Sequence, residues 1–218
     1  MSQQPAEEGP LGAARAWLRT RRRLLAGLSA WAAVPWLAAC RDQPAFHGID
    51  LTGADYAQDF NLPDAEGQRR TLADFRGKVV VVFFGYTQCP DVCPTSLGEL
   101  AEAKRLLGAD GQRMQGVFIT VDPERDTPAV MRAYVASFDP SFVALRPDPS
   151  VLPELAKAFK VYYKKVDGPT PTSYTMDHSA GSYVYDTQGR LRLYHRYGSG
   201  AQGLASDVRR LLAEASAG

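Results

Sequence analysis

The sequence predicts an α/β domain in which a mixed central β-sheet is flanked by helices and preceded by an N-terminal β-hairpin. Three observations carry that expectation. Val79-Val80-Val81-Val82-Phe83-Phe84 is an uninterrupted apolar run, as a strand covered on both faces requires. Apolar runs and helical stripes then alternate along the chain, the order that parallel crossovers demand. Nearer the C-terminus, two strand-like segments flank Thr187-Gln188-Gly189, a turn signal for an antiparallel hairpin.

In chain order, Asp59-Phe60-Asn61-Leu62 and Gly67-Gln68-Arg69-Arg70-Thr71-Leu72 flank the turn residues Pro63-Asp64-Ala65-Glu66 and predict the first hairpin. Residues 78–84 form the first buried strand. Between 96 and 107, Leu97, Leu100, Ala101, Ala103 and Leu107 fall on one helical stripe. A second apolar strand, 115–121, ends at Asp122-Pro123. Thr127 has the chemistry of an N-cap and Pro128 that of a first helical residue, opening a helix through Phe138. A short strand at 142–145, a helix at 149–159, the hairpin strands 182–186 and 190–196, and a helix at 204–213 complete the series. No internal repeat is visible. This is the outline of a thioredoxin-like fold.

Residues 1–39 do not read as core. Arg19, Arg21, Arg22 and Arg23 precede an apolar stretch, 24–39, too short for a spanning helix but suited to the h-region of an export signal. Leu37-Ala38-Ala39-Cys40 resembles a bacterial lipobox with Cys40 as the acylated residue; an uncleaved anchor is the alternative. Thr20-Arg21-Arg22-Arg23-Leu24-Leu25 resembles a twin-arginine signal, although an ordinary positive n-region reads the same. The expected organisation is a lipoprotein-type signal peptide over 1–39, lipid attachment and a flexible spacer over 40–58, and a thioredoxin-like domain over 59–215. The expected location is the extracytoplasmic, periplasmic face of a bacterial membrane, lipid-anchored. Without the five arginines and two glutamates of 1–39, the 25 basic and 24 acidic residues become 20 and 22, a net of −2. No basic patch stands out, which argues against nucleic acid as a partner.

Cys89-Pro90-Asp91-Val92-Cys93-Pro94 bears the chemistry. It lies where a buried strand passes into a helix, and a helix starting near Cys93 favours thiolate there. With Cys40 assigned to lipid, Cys89 and Cys93 are the other two of the chain's three cysteines. Outside the cytoplasm such a pair closes unless it is reduced or holds a metal. A purely structural disulfide would close too small a loop to remove much unfolded-state entropy. Thioredoxin-type oxidoreductases use Cys-x-x-Cys; three intervening residues let the sulfurs splay around an ion and still close.

His178, in Met176-Asp177-His178-Ser179, reads as a loop residue ahead of the strand at 182–186, at the sheet edge expected to carry the cysteine loop. A neutral imidazole there completes a set of two thiolates and one nitrogen; a solvated loop histidine is the plainer alternative. Thiolates select Cu(I) and imidazole also accommodates Cu(II), whereas structural zinc usually wants a fourth ligand. Asp177 either orients the ring or is a turn residue. Met176 is a weaker ligand candidate than a packing residue. His195 shares a strand face with Leu191 and Leu193 and reads as packed or hydrogen-bonded; His47 reads as solvated.

Gly85-Tyr86-Thr87-Gln88-Cys89-Pro90-Asp91-Val92-Cys93-Pro94 resembles the signature of the Sco (SenC) family of copper metallochaperones, cytochrome c oxidase assembly proteins. The resemblance extends to Asp59-Phe60, Phe75-Arg76-Gly77-Lys78, Val121-Asp122-Pro123-Glu124-Arg125-Asp126-Thr127-Pro128 and Asp177-His178-Ser179, and spans residues 45–215. It implies one copper per chain, Cu(I) or Cu(II), on Cys89, Cys93 and His178. It also implies loading of the dinuclear copper centre of cytochrome c oxidase subunit II, with an upstream copper donor and a thiol reductant as further partners. Asp122 and Asp126 read as structural or docking residues, with Asp126 or Thr127 capping a helix. The alternative function is a thiol–disulfide reductase that uses the Cys89–Cys93 pair, with Cys89, in the more accessible loop, as the attacking thiol. Val92-Cys93-Pro94-Thr95 also resembles a peroxiredoxin segment, but that family's threonine three residues before the cysteine is Pro90 here. A copper or redox sensor is a further alternative, disfavoured in a single domain without an output module.

Overall fold

The computed structural model describes residues 45–170 and 173–217. The leader expected over 1–39 and the lipid-attachment residue expected at Cys40 lie outside the described residues.

The elements run β1 (Ile49–Asp50), β2 (Leu62–Pro63), β3 (Arg69–Arg70), β4 (Val79–Gly85), α1 (Val92–Leu106), β5 (Met114–Thr120), α2 (Pro128–Ala136) and β6 (Val143–Leu145). They continue with α3 (Leu152–Phe159), β7 (Tyr163–Asp167), β8 (Tyr174–His178), β9 (Ser182–Tyr185), β10 (Leu191–His195) and α4 (Ala201–Ala217). The central sheet has the order β1-β10-β9-β4-β5-β6. β4, β5 and β6 are parallel, whereas β9, β10 and β1 join antiparallel, so the sheet is mixed as expected.

β4 sits at the centre for the reason its sequence suggests. All seven residues are buried, because a strand covered on both faces has no polar side to offer. β5 is buried along its whole length as well. α1 and α4 pack against each other and reach β4, and α2 packs on β6. Pro128 opens α2, and the Thr127 hydroxyl accepts from Val130 N at 3.4 Å. Thr127 is therefore the cap, and Asp126 is free for another use. α1 starts at Val92, earlier than the Leu97 stripe indicates, because Cys93 and Ser96 extend its buried face.

Two regions depart from expectation. Within the 40–58 segment expected as lipid attachment and flexible spacer, the described part is anchored: β1 pairs with β10, Ala57 N donates to Ala158 O at 2.9 Å, and Ala57 is buried. This anchoring runs through backbone and single side chains, so it leaves no periodic signature. The second region is a separate antiparallel hairpin, β7–β8, paired from Tyr163↔His178 to Asp167↔Tyr174. Lys164 to Asp167 are all exposed, so β7 has no buried face to produce the alternation that marks a strand. His178 consequently closes a strand; the loop position expected for it is corrected.

Candidate metal centre

The end of β4 meets the start of α1 with no room to spare. A Cβ on Gly85 would lie 2.7 Å from Cys93 Sγ and 2.9 Å from the Phe83 ring, so only glycine admits the thiol here. Cys93, second residue of α1, has 0% exposure, while Cys89 is half-buried in the preceding loop. Cys89 N donates to Tyr86 O at 3.3 Å, and Cys93 N donates to Cys89 Sγ at 3.4 Å. The helix terminus thus directs an N–H at the outer sulfur and not at its own cysteine.

His178 arrives from the hairpin. Ser179 N donates to Tyr162 O at 2.9 Å, and Tyr162 N donates to Ser179 Oγ at 3.0 Å, pinning the strand end. His178 Nδ1 lies 2.9 Å from the Ser179 carbonyl oxygen. A carbonyl only accepts, so Nδ1 carries the proton and Nε2 presents its lone pair. Nε2 lies 3.3 Å from Cys93 Sγ. Phe83 and Tyr86 meet the ring edge-on at 6.1 and 5.8 Å. The two sulfurs and one ring nitrogen lie within 4.8 Å of one another, the one such cluster among the described residues.

Electrostatics corrects one expectation. Burial pushes the Cys93 thiol well above its ordinary value, and neighbouring Cys89 and Asp126 add to the shift. A helix end contributes roughly 0.3–1 kcal/mol, up to about 2 kcal/mol when partly buried, whereas full burial moves a pKa by up to 3–5 units. Burial wins, so Cys93 without metal is a thiol whose S–H faces His178 Nε2. Burial also lowers His178, keeping the imidazole neutral. A soft cation that takes these ligands must displace the Cys93 proton. The donor set, two sulfurs and one neutral nitrogen with no carboxylate among them, suits copper and not a hard ion.

Asp126 braces the floor of the site. Fully buried, it accepts from Thr87 N at 3.1 Å, Thr87 Oγ1 at 2.6 Å and Thr120 Oγ1 at 2.5 Å, tying the loop before Cys89 to the end of β5. Burial still holds its pKa above the usual carboxylate range. Asp122 is also buried and accepts from Tyr174 Oη at 2.9 Å. Burial, and after it the Asp122 acceptor, pushes the Tyr174 phenol up to about 12.

The other sequence candidates fall into place around this cluster. Asp177 is exposed, and the group that orients His178 is the Ser179 carbonyl. Met176 is buried in the core. His195 Nε2 is committed to Asp207 Oδ2 at 2.8 Å, and His47, expected to be solvated, reaches Asp207 Oδ1 at 3.2 Å while staying half-exposed. Gly85, Tyr86 and Arg125 border the site although sequence reasoning gave them no part. Their signal lay only in the Gly85-Tyr86 and Glu124-Arg125-Asp126 stretches quoted above.

The SCO1/SenC family model matches residues 50–213. The mouse mitochondrial SCO2 homologue is 35% identical over 203 residues, covering 90% of this chain and 80% of that protein. Bradyrhizobium japonicum ScoI with copper bound is 42% identical, with a TM-score of 0.64, covering 70% of this chain and 97% of that one. Apo Sco1 from Thermus thermophilus is 37% identical, with a TM-score of 0.68 and coverage of 77% and 97%. The curated mammalian relatives contradict the bacterial, lipid-anchored location expected from the N-terminus, although bacterial relatives exist as well. The mouse relative and its bovine and human counterparts, whose matches cover 90–97% of this chain, are mitochondrial proteins. Among the described residues, no helix is long and apolar enough to cross a membrane.

Proposed function

The chain belongs to the SCO1/SenC family, and from that premise we propose that it is a copper-binding cytochrome c oxidase assembly protein. In this reading, one copper ion is carried on Cys89, Cys93 and His178 and delivered to the dinuclear copper site of oxidase subunit II. The observation that carries the reading is the preformed cluster, with three ligand atoms within 4.8 Å and the His178 lone pair freed by the Ser179 carbonyl. The copper-bound Bradyrhizobium relative supports it.

The asymmetry of the thiols suggests the order of exchange. Copper is the cargo, and Cys89 lies on the solvent side, whereas Cys93 and His178 Nε2 form the inner pair. An acceptor thiolate approaches from the Cys89 side and replaces that sulfur first. As copper leaves, the high-pKa Cys93 sulfur regains a proton and its contact with Nε2, which favours release. Both thiols must be reduced beforehand, since a disulfide offers no thiolate.

The same asymmetry favours a second reading, reduction of the acceptor's own disulfide. The Cys89 thiolate would attack one sulfur and expel the other as thiolate. Cys93, its proton passing to the acceptor's first expelled thiolate, would then attack the Cys89 sulfur and expel the second. The acceptor gains two electrons and the Cys89–Cys93 pair is oxidised to a disulfide.

The test is copper binding by the reduced full chain, followed by optical and EPR spectra, beside Cys89→Ser and His178→Ala. One copper per chain, a sulfur-to-Cu(II) charge-transfer band and its loss in both variants are expected. Absence of stable copper binding, together with rapid reduction of a disulfide substrate, would replace delivery with thiol exchange.

A further inference from the structure

Arg125 is where the segments around the cluster meet. Its Nε donates to Asp122 Oδ2 at 2.5 Å, while Nη1 donates to the Tyr174 carbonyl at 2.9 Å and to Gln88 Oε1 at 3.2 Å. The guanidinium carbon lies 3.5 Å from the Tyr174 ring centroid and 5.7 Å from that of Tyr86. Each contact leads to the metal ligands. Gln88 precedes Cys89, Tyr86 stands edge-on to the His178 ring, and Tyr174 opens the strand that His178 closes. Asp122 takes the Tyr174 hydroxyl as well, so Asp122 and Arg125 grip that residue at its ring, hydroxyl and carbonyl.

The hairpin needs such a grip. β7–β8 is a two-stranded sheet of its own, with β7 largely exposed, and isolated two-stranded hairpins are marginal in water. The distance from His178 Nε2 to Cys93 Sγ therefore depends on what fastens β8 to the cysteine loop. Arginine suits this task, since its planar fork serves several acceptors at once and stacks on an aromatic ring; lysine offers a point charge. Nη2 is buried with no partner among the described residues, so this guanidinium is held in place even at the cost of one unpaired donor.

We infer that Arg125 is a positioning residue of the metal site, locking the His178 hairpin against the Cys89 loop so that Nε2 meets Cys93 Sγ. The inference rests on the copper reading of Cys89, Cys93 and His178 given above.

The test uses the full chain with Arg125→Met, Arg125→Lys and Gln88→Ala. In the metal-free protein, Arg125→Met should speed amide exchange in residues 174–178 on the order of tenfold while leaving β4 and β5 unchanged. With Cu(II), the nitrogen hyperfine signal of His178 should fade while the sulfur charge-transfer band persists, a split that general destabilisation would not produce. Arg125→Lys should resemble Arg125→Met, and Gln88→Ala should give a smaller change of the same kind. Unchanged exchange and nitrogen signal in both Arg125 variants would overturn the inference, as would full restoration of both by lysine. If Arg125→Met fails to fold, the lysine and Gln88 variants still decide. If the parent protein binds no copper, the function reading fails, whereas hairpin exchange continues to report on Arg125.

Discussion

His178 and His195 each close an antiparallel strand, yet they are opposites in use. His195 is buried, and its Nε2 is taken by Asp207 at 2.8 Å. That carboxylate also accepts from His47 N at 3.0 Å and Gly48 N at 2.8 Å, so one side chain fastens β10 and the start of the domain to α4. His178 gives Nδ1 to a neutral backbone carbonyl and keeps Nε2 open beside Cys93. Ring chemistry and strand position are the same. What differs is which nitrogen is occupied, and by what. A histidine becomes a candidate ligand when the fold satisfies one nitrogen cheaply and points the other at soft donors.

The largest expected effect lies on the structural side of this contrast. Asp207→Ala strands two part-buried backbone N–H groups and the buried His195 ring, and should cost about 3 kcal/mol of stability. Copper binding per folded molecule should be unchanged; a matching loss of copper would merge the two histidine regions into one system. The acid limb provides a companion measurement. Burial opposes ionisation of Asp207, but His195 and the two backbone donors outweigh it and hold the pKa down to about 2, from an ordinary 3.8. A pKa lowered in the folded state stabilises above the unfolded value. That contribution should be complete above about pH 4 and lost as pH falls toward 2, a loss that Asp207→Ala should not show.

The mirror experiment is His178→Ala. It should weaken Cu(II) on the order of a hundredfold, about 2.7 kcal/mol, and leave thermal stability nearly unchanged. Cu(I), satisfied chiefly by sulfur, should lose less. Copper titrations monitored by EPR decide this, and unchanged Cu(II) affinity would remove His178 from the site. Since burial raises Cys93 and metal must displace its proton, affinity for copper in the parent should rise with pH through neutrality. His178, lowered by burial, should compete through protonation only on the acid side of its ordinary value of 6.5.

Gly85→Ala tests the wall between β4 and Cys93. The added methyl would meet Cys93 Sγ at 2.7 Å, Phe83 at 2.9 Å and Phe118 at 3.0 Å. Overpacking of this kind costs about 1–3 kcal/mol, and here it also pushes one ligand out of register. Denaturant unfolding and copper titration should both shift, with the His195–Asp207 region unaffected by amide exchange. A variant that is stable and binds copper as before would show that Cys93 can move freely, contrary to its packing.

These regions also differ in how well the sequence discloses them. The valine–phenylalanine run of β4, the Thr127-Pro128 start of α2 and the Thr187-Gln188-Gly189 turn are local signals, and each element lies where its residues indicate. The cysteines and His178 are legible as chemistry because thiol and imidazole have few bland uses at such a junction. The β7–β8 hairpin is not legible, since exposed Lys164, Lys165, Val166 and Asp167 offer no buried face to set an alternating pattern. The direction of the Cys93 shift was hidden for a related reason. Helix position can be read from sequence, whereas complete burial depends on tertiary packing, in which a side chain at Gly85 would collide with the sulfur. Likewise, the Asp207 partner of His195 lies twelve residues away on another element, beyond any strand or helix period.

The smallest effect sharpens the comparison most. Asp177 stands next to His178 in sequence and was the natural candidate to orient its ring, as Asp207 holds His195. Its side chain is exposed, its strand partner is Lys164, and its influence on His178 ranks behind burial and the Ser179 hydrogen bond. An exposed charge acting through water contributes little, typically within about 0.5 kcal/mol. Asp177→Asn should therefore change Cu(II) affinity by less than about threefold and leave the nitrogen hyperfine pattern intact. Removing the charge should lower the His178 pKa slightly further, since the carboxylate favours the imidazolium, so copper should compete marginally better in mild acid. A tenfold loss of affinity, or an altered nitrogen signal, would mean that a carboxylate governs this ring too. The distinction between a carbonyl-held ligand and a carboxylate-held strut would then fall.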